Sequence, residues 1–230
     1  MTNVSLLLGA DNEIFIDQSG ATSNLDIEQV GGSGNIIGGS DATAGSSNMT
    51  PLDLDGATMT LDILQKGSTN KFLGDIWADN YTGYFSFIGD TNTFNMSTDE
   101  TNATGADGSN VNVQVTGNTN TMTLNHAMTA LAANLDLDWI IQGGGNSITA
   151  SIDVDGATNY MDIDGSDNTV TYDGDGYAGG YFYLDHTGGS RTFNIDQEST
   201  QDNDWLKITS VGSNGTVCVT QSDSTTSFVC

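Results

Sequence analysis

Carboxylates carry most of the chemistry that this sequence could do. In IDVDGATNYMDIDGSDNTVTYDGDGY, Asp153, Asp155, Asp162, Asp164, Asp167, Asp173 and Asp175 stand beside glycines. Hard oxygens on a pliable backbone are what Ca²⁺ coordinates. The stretch contains neither the Asp-x-Asp-x-Asp-Gly loop closed by Glu nor the Gly-Gly-x-Gly-x-Asp nonapeptide of calcium-binding β-rolls. Two readings stand side by side: a calcium site, and turn carboxylates that only keep the surface solvated. Asp53 and Asp55 repeat part of the pattern earlier, where Gln65 and Lys66 stand near the place of the later acids.

Catalysis needs a nucleophile with its base, or paired carboxylates in different environments. His126 and His186 are isolated from any Ser or Cys motif and read as exposed turn residues. There is no P-loop, dinucleotide fingerprint or zinc cluster. A carboxylate pair of a polysaccharide-cleaving solenoid is the one catalytic arrangement the composition allows, but no spacing marks such a pair. The expectation is a protein that is not an enzyme and requires no cofactor, with calcium as the one candidate. Cys218 and Cys230 bracket VTQSDSTTSFV with a spacing that suits a small end-closing disulfide. Two free thiols in a reducing compartment are the other reading.

Against 30 Asp and Glu stand only Lys66, Lys71, Arg191 and Lys207, for a formal charge of −26. So few cations cannot assemble a surface that tracks phosphates, which excludes nucleic acid as a partner. Anionic membranes are equally poor partners. The opening MTNVSLLLGADNE lacks a basic n-region, and its apolar patch is too short for a signal-peptide core or a membrane span.

The elements that must position these residues are strands. With 29 Gly and abundant Asn, Thr and Ser, helix is disfavoured, and Ile, Val, Leu and Phe recur in period-two alternation. The phrase Asn-x-apolar-x-apolar returns at Asn12, Asn24, Asn70, Asn110, Asn120, Asn146 and Asn168, often one short strand plus a turn apart. Asn and Gly tolerate left-handed backbone and mark where the chain turns. Two such half-coils make a coil of about 22 residues, within the range of β-solenoid repeats.

A duplication lies above this short repeat. LDLDGATMTLDI from Leu52 matches IDVDGATNYMDI from Ile152, GYFSF at Gly83 matches GYFYL at Gly180, and TFNM at Thr93 matches TFNI at Thr192. VQVTGNTNTMTL from Val113 tracks ITSVGSNGTVCV from Ile208, and NLDI at Asn24 pairs with NLDL at Asn134. The predicted fold is all-β, solenoid-like or a β-sandwich, with an N-terminal arm (1–11), β-repeat module 1 (12–119), and module 2 (120–230) ending in a Cys-closed loop. Leu52 with Ile152, Phe85 with Phe182 and Val113 with Ile208 should share environments. Trp77, Tyr84, Phe85, Phe87, Trp139, Tyr181, Phe182, Tyr183 and Trp205 are expected to cover coil ends or a subunit contact, or to be core.

NEIFIDQSGATSNLDIEQVGGSGN resembles the repeats of the curlin family, in which a small polar residue, a Gln, a Gly-rich turn, an Asn and a second Gln recur in each strand–turn–strand unit. Asn12, Gln18, Gly20, Asn24, Gln29 and Gly31 occupy comparable places. Beyond Asn35 the pattern gives way to Asp- and Thr-based variants. Acidic, Asn- and Thr-rich chains of this kind also look like structural proteins of tailed phages, marine ones in particular. The resemblance implies a structural, multimerising component of a phage particle, in the tail, a fibre or the surface, located in the virion or extracellularly. Its partners would be further copies of itself and other virion proteins, with host surface polysaccharide as an additional candidate. The alternatives are a curli-like extracellular fibre subunit or adhesin and, third, a carbohydrate-active solenoid enzyme.

Overall fold

In the computed structural model, which describes residues 2–8, 13–38, 52–98, 107–126, 132–176, 179–199 and 204–222, every regular element is a β-strand. In chain order these are β1 (Thr2–Leu8), β2 (Glu13–Ile14), β3 (Asp17–Ser19), β4 (Thr22–Ser33), β5 (Ile36–Ile37), β6 (Leu52–Ser68), β7 (Lys71–Ile88), β8 (Thr93–Thr98), β9 (Asn110–Thr116) and β10 (Thr121–His126). They continue with β11 (Ala132–Ala133), β12 (Asp136–Gln142), β13 (Ser147–Asp155), β14 (Thr158–Asp164), β15 (Asn168–Gly176), β16 (Tyr181–Thr187), β17 (Arg191–Ser199), β18 (Trp205–Val211) and β19 (Thr216–Ser222).

The chain is a β-solenoid. Each strand pairs in parallel with its counterpart one coil earlier and one coil later, which builds two facing sheets. The first sheet stacks β1, β4, residues 58–66 of β6, residues 80–88 of β7, β9, β12, β14, β16 and β18. The second stacks β2 and β3, then β5 with residues 53–55 of β6, then residues 71–76 of β7, β8, β10, β13, β15, β17 and β19. The ladder passes residues 119 and 120 without a break, since β9 pairs β12 and β8 connects to β13 through β10.

Alternation gives each sheet an inward and an outward set of columns. Ile27, Ile63, Phe85, Val113, Trp139, Met161 and Leu184 lie in one inward column of the first sheet, all buried. Facing them from the second sheet, Phe72, Phe94, Met122, Ile148, Val170 and Phe193 form another. No single coil could bury these side chains, and stacking turns them into one thin continuous core. Part of it is aromatic: Phe72 stacks on Phe94 at 5.5 Å, Phe85 meets Phe72 edge-on at 5.2 Å, and Trp139 meets Phe94 edge-on at 6.2 Å. Each such pair is worth about 0.5–1.5 kcal/mol beyond the area it buries.

The duplicated segments keep their faces but not always their columns. Val113 and Ile208 share an inward column, as expected, and so do Phe94 and Phe193. Ile152 is in register with the column of Leu54, not Leu52, and Phe85 with that of Leu184, not Phe182. The slip is by two residues each time. A period-two pattern is blind to such a slip, because the inward set maps onto itself.

Each coil turns twice, and the two corners are built differently. The corner leading from the first sheet into the second is Gly-x-x-Asn: Gly67 to Asn70, Gly89 to Asn92, Gly117 to Asn120, Gly143 to Asn146, Gly165 to Asn168. Its asparagines are buried and form a ladder. The backbone N–H of Asn35 donates to Asn70 Oδ1 (3.2 Å), Asn70 to Asn92 (2.9 Å), Asn92 to Asn120 (2.7 Å), Asn120 to Asn146 (2.9 Å) and Asn146 to Asn168 (3.0 Å). These links join residues 35, 22, 28, 26 and 22 apart, so the shortest coil has the expected 22 residues. The glycine is required by crowding: a Cβ on Gly143 (φ +133°) would collide with the carbonyl oxygen of Gly117 one coil away, and one on Gly117 with that of Gly89. The ladder ends where Arg191 stands in the Asn position, its Nη1 donating to Asn214 O at 3.4 Å. From Asn70 to Asn168 the variation in coil length falls in the other corner, which leads from the second sheet back to the first, whereas the longer link from Asn35 to Asn70 takes its extra residues between β5 and β6.

Candidate functional site

The calcium candidates do not converge. In the register, Asp162 and Asp164 take outward positions on the first sheet, beside Asp185 and Thr187. Asp153, Asp173 and Asp175 are on the second sheet, where Asp153 pairs with Asp175 and Asp173 with Asp196. Asp155 ends β13, and Asp167 occupies the left-handed position (φ 61°) of a Gly-x-x-Asn corner, where its N–H donates to Ser190 O. Among the described residues no group of three or more His, Cys, Asp or Glu is arranged to hold a metal ion.

Where carboxylates do meet, they repel. Burial, then Asp175 and Asp155, raise the pKa of Asp153 above the ordinary carboxylate value. Asp173 is raised by burial, Asp175 and Asp196, and Asp196 by burial and Asp175. Loss of hydration and like charge both disfavour the ionised form. This acidic patch lies at the ends of β13, β15 and β17, beside the variable corner.

The histidines are not exposed turn residues. Both are fully buried in inward columns. His126 Nδ1 lies 3.2 Å from Tyr81 Oη, which also contacts Thr98 Oγ1 at 3.3 Å. His186 Nε2 lies 3.1 Å from Gly165 O and Nδ1 lies 3.0 Å from Ser210 Oγ. The carbonyl can only accept, so Nε2 carries the proton and Nδ1 accepts from Ser210. Burial lowers the His186 pKa and keeps the ring neutral. The signal was present in the alternation, since His126 shares the parity of Met122 and Leu124 and His186 that of Phe182 and Leu184, but polar type was read as a turn instead.

The core holds further polar groups. Asn159, in the inward column of Leu137 and Phe182, donates through Nδ2 to Tyr172 Oη at 2.8 Å. Burial and the neighbouring Asp173 push the Tyr172 phenol well above its usual range, so it stays protonated. Cys218 is disulfide-bonded and takes an outward position in register with Asn194. Cys230 lies outside the described residues.

The surfaces that face solvent differ in kind. On the second sheet, Thr93, Thr121, Ser147, Thr169, Thr192 and Thr216 form one outward column, next to Asn95, Thr123, Thr149, Thr171, Asn194 and Cys218. From β8 to β19 these two columns carry no charge, and Lys71 stands at the head of the first, in register with Thr93. The first sheet instead carries acids and aromatics. Of the expected aromatic cluster, Phe85, Phe87, Trp139 and Phe182 are core, whereas Trp77, Tyr84, Tyr181 and Trp205 are exposed. Tyr160, Tyr181, Tyr183 and Trp205 are neighbours on successive strands: Tyr160 and Tyr183 are 6.4 Å apart between ring centres, Tyr181 and Trp205 6.4 Å, Tyr183 and Trp205 4.3 Å. The signal was present in GYFYL, where Tyr181 and Tyr183 share the parity of Asp185, and Phe182 and Leu184 the opposite one.

The last described coil presents a third surface. Val217 and Val219 lie in the inward columns of Phe193 and Ile195, yet are 43% and 37% exposed. Leu206 and Ile208 on β18 pack against the core but are also only partly buried. Comparison with known proteins finds no family, no curated protein and no solved structure that matches the chain.

Proposed function

We propose that the protein is a structural, self-assembling component of a phage particle, in the tail, a fibre or the surface, and that its copies join end to end. The observation that carries this reading is the last described coil. Among the described residues the core runs out there with Val217 and Val219 exposed. Among the same residues β1 and β18 are the outermost strands of the first sheet, each of 7 residues, TNVSLLL and WLKITSV. Neither contains an acid, and neither does β19 (TVCVTQS). In a chain of charge −26 these strands can approach another copy with little repulsion. Docking β18 of one copy beside β1 of the next would continue the parallel ladder, and a free strand edge is a template for such pairing. The contact is head-to-tail, which gives rings or open filaments according to its rotation.

A curli-like extracellular fibre subunit is the second reading, favoured by stacked amides. Besides the asparagine ladder, Gln65 Nε2 donates to Gln29 Oε1 at 2.7 Å across neighbouring coils, the kind of amide stack that curlin-like repeats imply. Gln18 is in another column and donates to Ser23 Oγ at 2.8 Å. Electron microscopy of the native source, with the protein located by a specific antibody, tests the proposal. Label on virion appendages or shells is expected; label on free filaments supports the second reading, and label on neither overturns both.

A further inference from the structure

We propose that the outward face of β12, β14, β16 and β18 is a binding platform for a neutral polysaccharide. Tyr160, Tyr181, Tyr183 and Trp205 are its stacking surfaces, and Asp138, Asp162 and Asp185 its hydrogen-bond acceptors. The inference concerns this face alone and does not depend on end-to-end assembly.

The rings stand on the solvent side of strands whose other outward residues are mostly Asp, Thr and Gln. Tyr160, Tyr181 and Trp205 are 36%, 45% and 38% exposed. They are contiguous across strands through Tyr183 and run along the solenoid axis over two strand spacings, about 10 Å. Asp162 and Asp185 are each two residues beyond a tyrosine, Tyr160 and Tyr183, and are in register with each other. Asp138 pairs with Tyr160 from the strand before. The carboxylates are close enough to the ring to raise the Tyr160 pKa, after burial. A depression lined by Ile140, Ile141, Gln142, Asp162, Asp164 and Thr187 shares Asp162 with the platform. Flat apolar surfaces edged by acceptor-only groups complement a sugar, which has C–H faces and a rim of hydroxyl donors.

Charge selects among occupants. A polyanion would meet Asp136, Asp138, Asp162 and Asp185 in a chain of charge −26. A second copy docked face to face would oppose these carboxylates to their own equivalents. The cation position over the Tyr183 ring is already taken by Lys207, whose Nζ lies 5.9 Å from its centre. A neutral polyhydroxylated chain meets none of these obstacles. The open, linear platform fits a polymer better than a small sugar, which would be held by a closed cavity.

Affinity electrophoresis of the full chain in gels containing hydroxyethyl cellulose, dextran or galactomannan, with alginate as the anionic control, tests the proposal. Retardation is expected in at least one neutral gel and not in alginate. Replacing Tyr183 and Trp205 by Ala should weaken it about tenfold, as expected for the loss of two stacking contacts. Tyr84→Ala, in the same column but remote from the platform, should bind like the parent, and so should Val217→Asp, which disturbs only the end. If the alanine variant unfolds by circular dichroism, Tyr183→Thr retains a strand-forming residue and should still lose retardation. No retardation in any neutral gel, equal retardation in alginate, or retardation that survives loss of Tyr183 and Trp205 would overturn the inference.

Discussion

The two corners of each coil solve the same problem of reversing the chain, with opposite tolerances. The Gly-x-x-Asn corner is invariant in length from Gly67 to Asn168 and is tied coil to coil by buried amides. Over the same coils the other corner absorbs the changes in length, from the 22-residue link of Asn70 to Asn92 to the 28 residues of Asn92 to Asn120. One corner therefore sets the register, because a buried N–H has no water to fall back on. The other only has to close a loop, whose cost grows slowly with length. Function has room to vary at the second corner and on the outward columns, while the first corner holds the register.

The largest effect should come from Gly143→Ala. The new Cβ meets the Gly117 carbonyl, and the backbone at φ +133° is nearly closed to other residues, so a loss of roughly 3 kcal/mol or more is expected in urea unfolding. Asn120→Ala should follow, at about 2–3 kcal/mol, because it strands the buried N–H of Asn92 and removes the 3.1 Å bond to Asn146 Oδ1. Two residues inserted between β10 and β11, at the tolerant corner, should cost under about 0.6 kcal/mol. If that insertion matched the cost of Asn120→Ala, the contrast between corners would fail.

Acid should act at the tolerant corner. Asp153, Asp173 and Asp196 have folded pKa values raised above the unfolded 3.8, so the folded chain binds more protons than the unfolded one in the window between. Stability should then rise as pH falls from neutral toward the ordinary carboxylate range, read as an increase in Tm, and Asp173→Asn should reduce that increase. Calcium at fixed ionic strength separates the remaining readings of the acidic run. A saturable rise in Tm that Asp162→Ala leaves intact and Asp153→Ala removes would assign it to the second sheet. The smallest effect is expected at Thr119, left-handed at φ 56°, where Thr119→Gly should gain about 0.5 kcal/mol from relieved strain offset by chain entropy.

The first corner was legible in part: of the recurring asparagines, Asn70, Asn120, Asn146 and Asn168 belong to its ladder and the 22-residue coil follows from their spacing, whereas Asn24 and Asn110 lie in β4 and β9, and Asn35, Asn92 and the preceding Gly were not singled out. The solenoid followed from the same repeats, and the inward parity of Val113, Ile148 and Phe193 from alternation. The column assignments of Leu52 and Phe85 were not legible, because extra residues in the variable corner shift the frame and a shift of two leaves alternation unchanged. His126 and His186 were misplaced for a related reason: polar type suggested a turn, whereas Tyr81, Ser210 and Gly165, distant in sequence, supply the partners that allow burial. The scattering of the Asp153–Asp175 carboxylates over both sheets and a corner is a consequence of coiling that a linear run conceals.

Sedimentation velocity of the purified full chain across micromolar concentrations, beside Val217→Asp and Val219→Asp, tests end-to-end assembly most directly. The account predicts a concentration-dependent series of elongated oligomers for the parent and a folded, elongated monomer for both variants. A parent that stays monomeric throughout, or variants that assemble as the parent does, would contradict it.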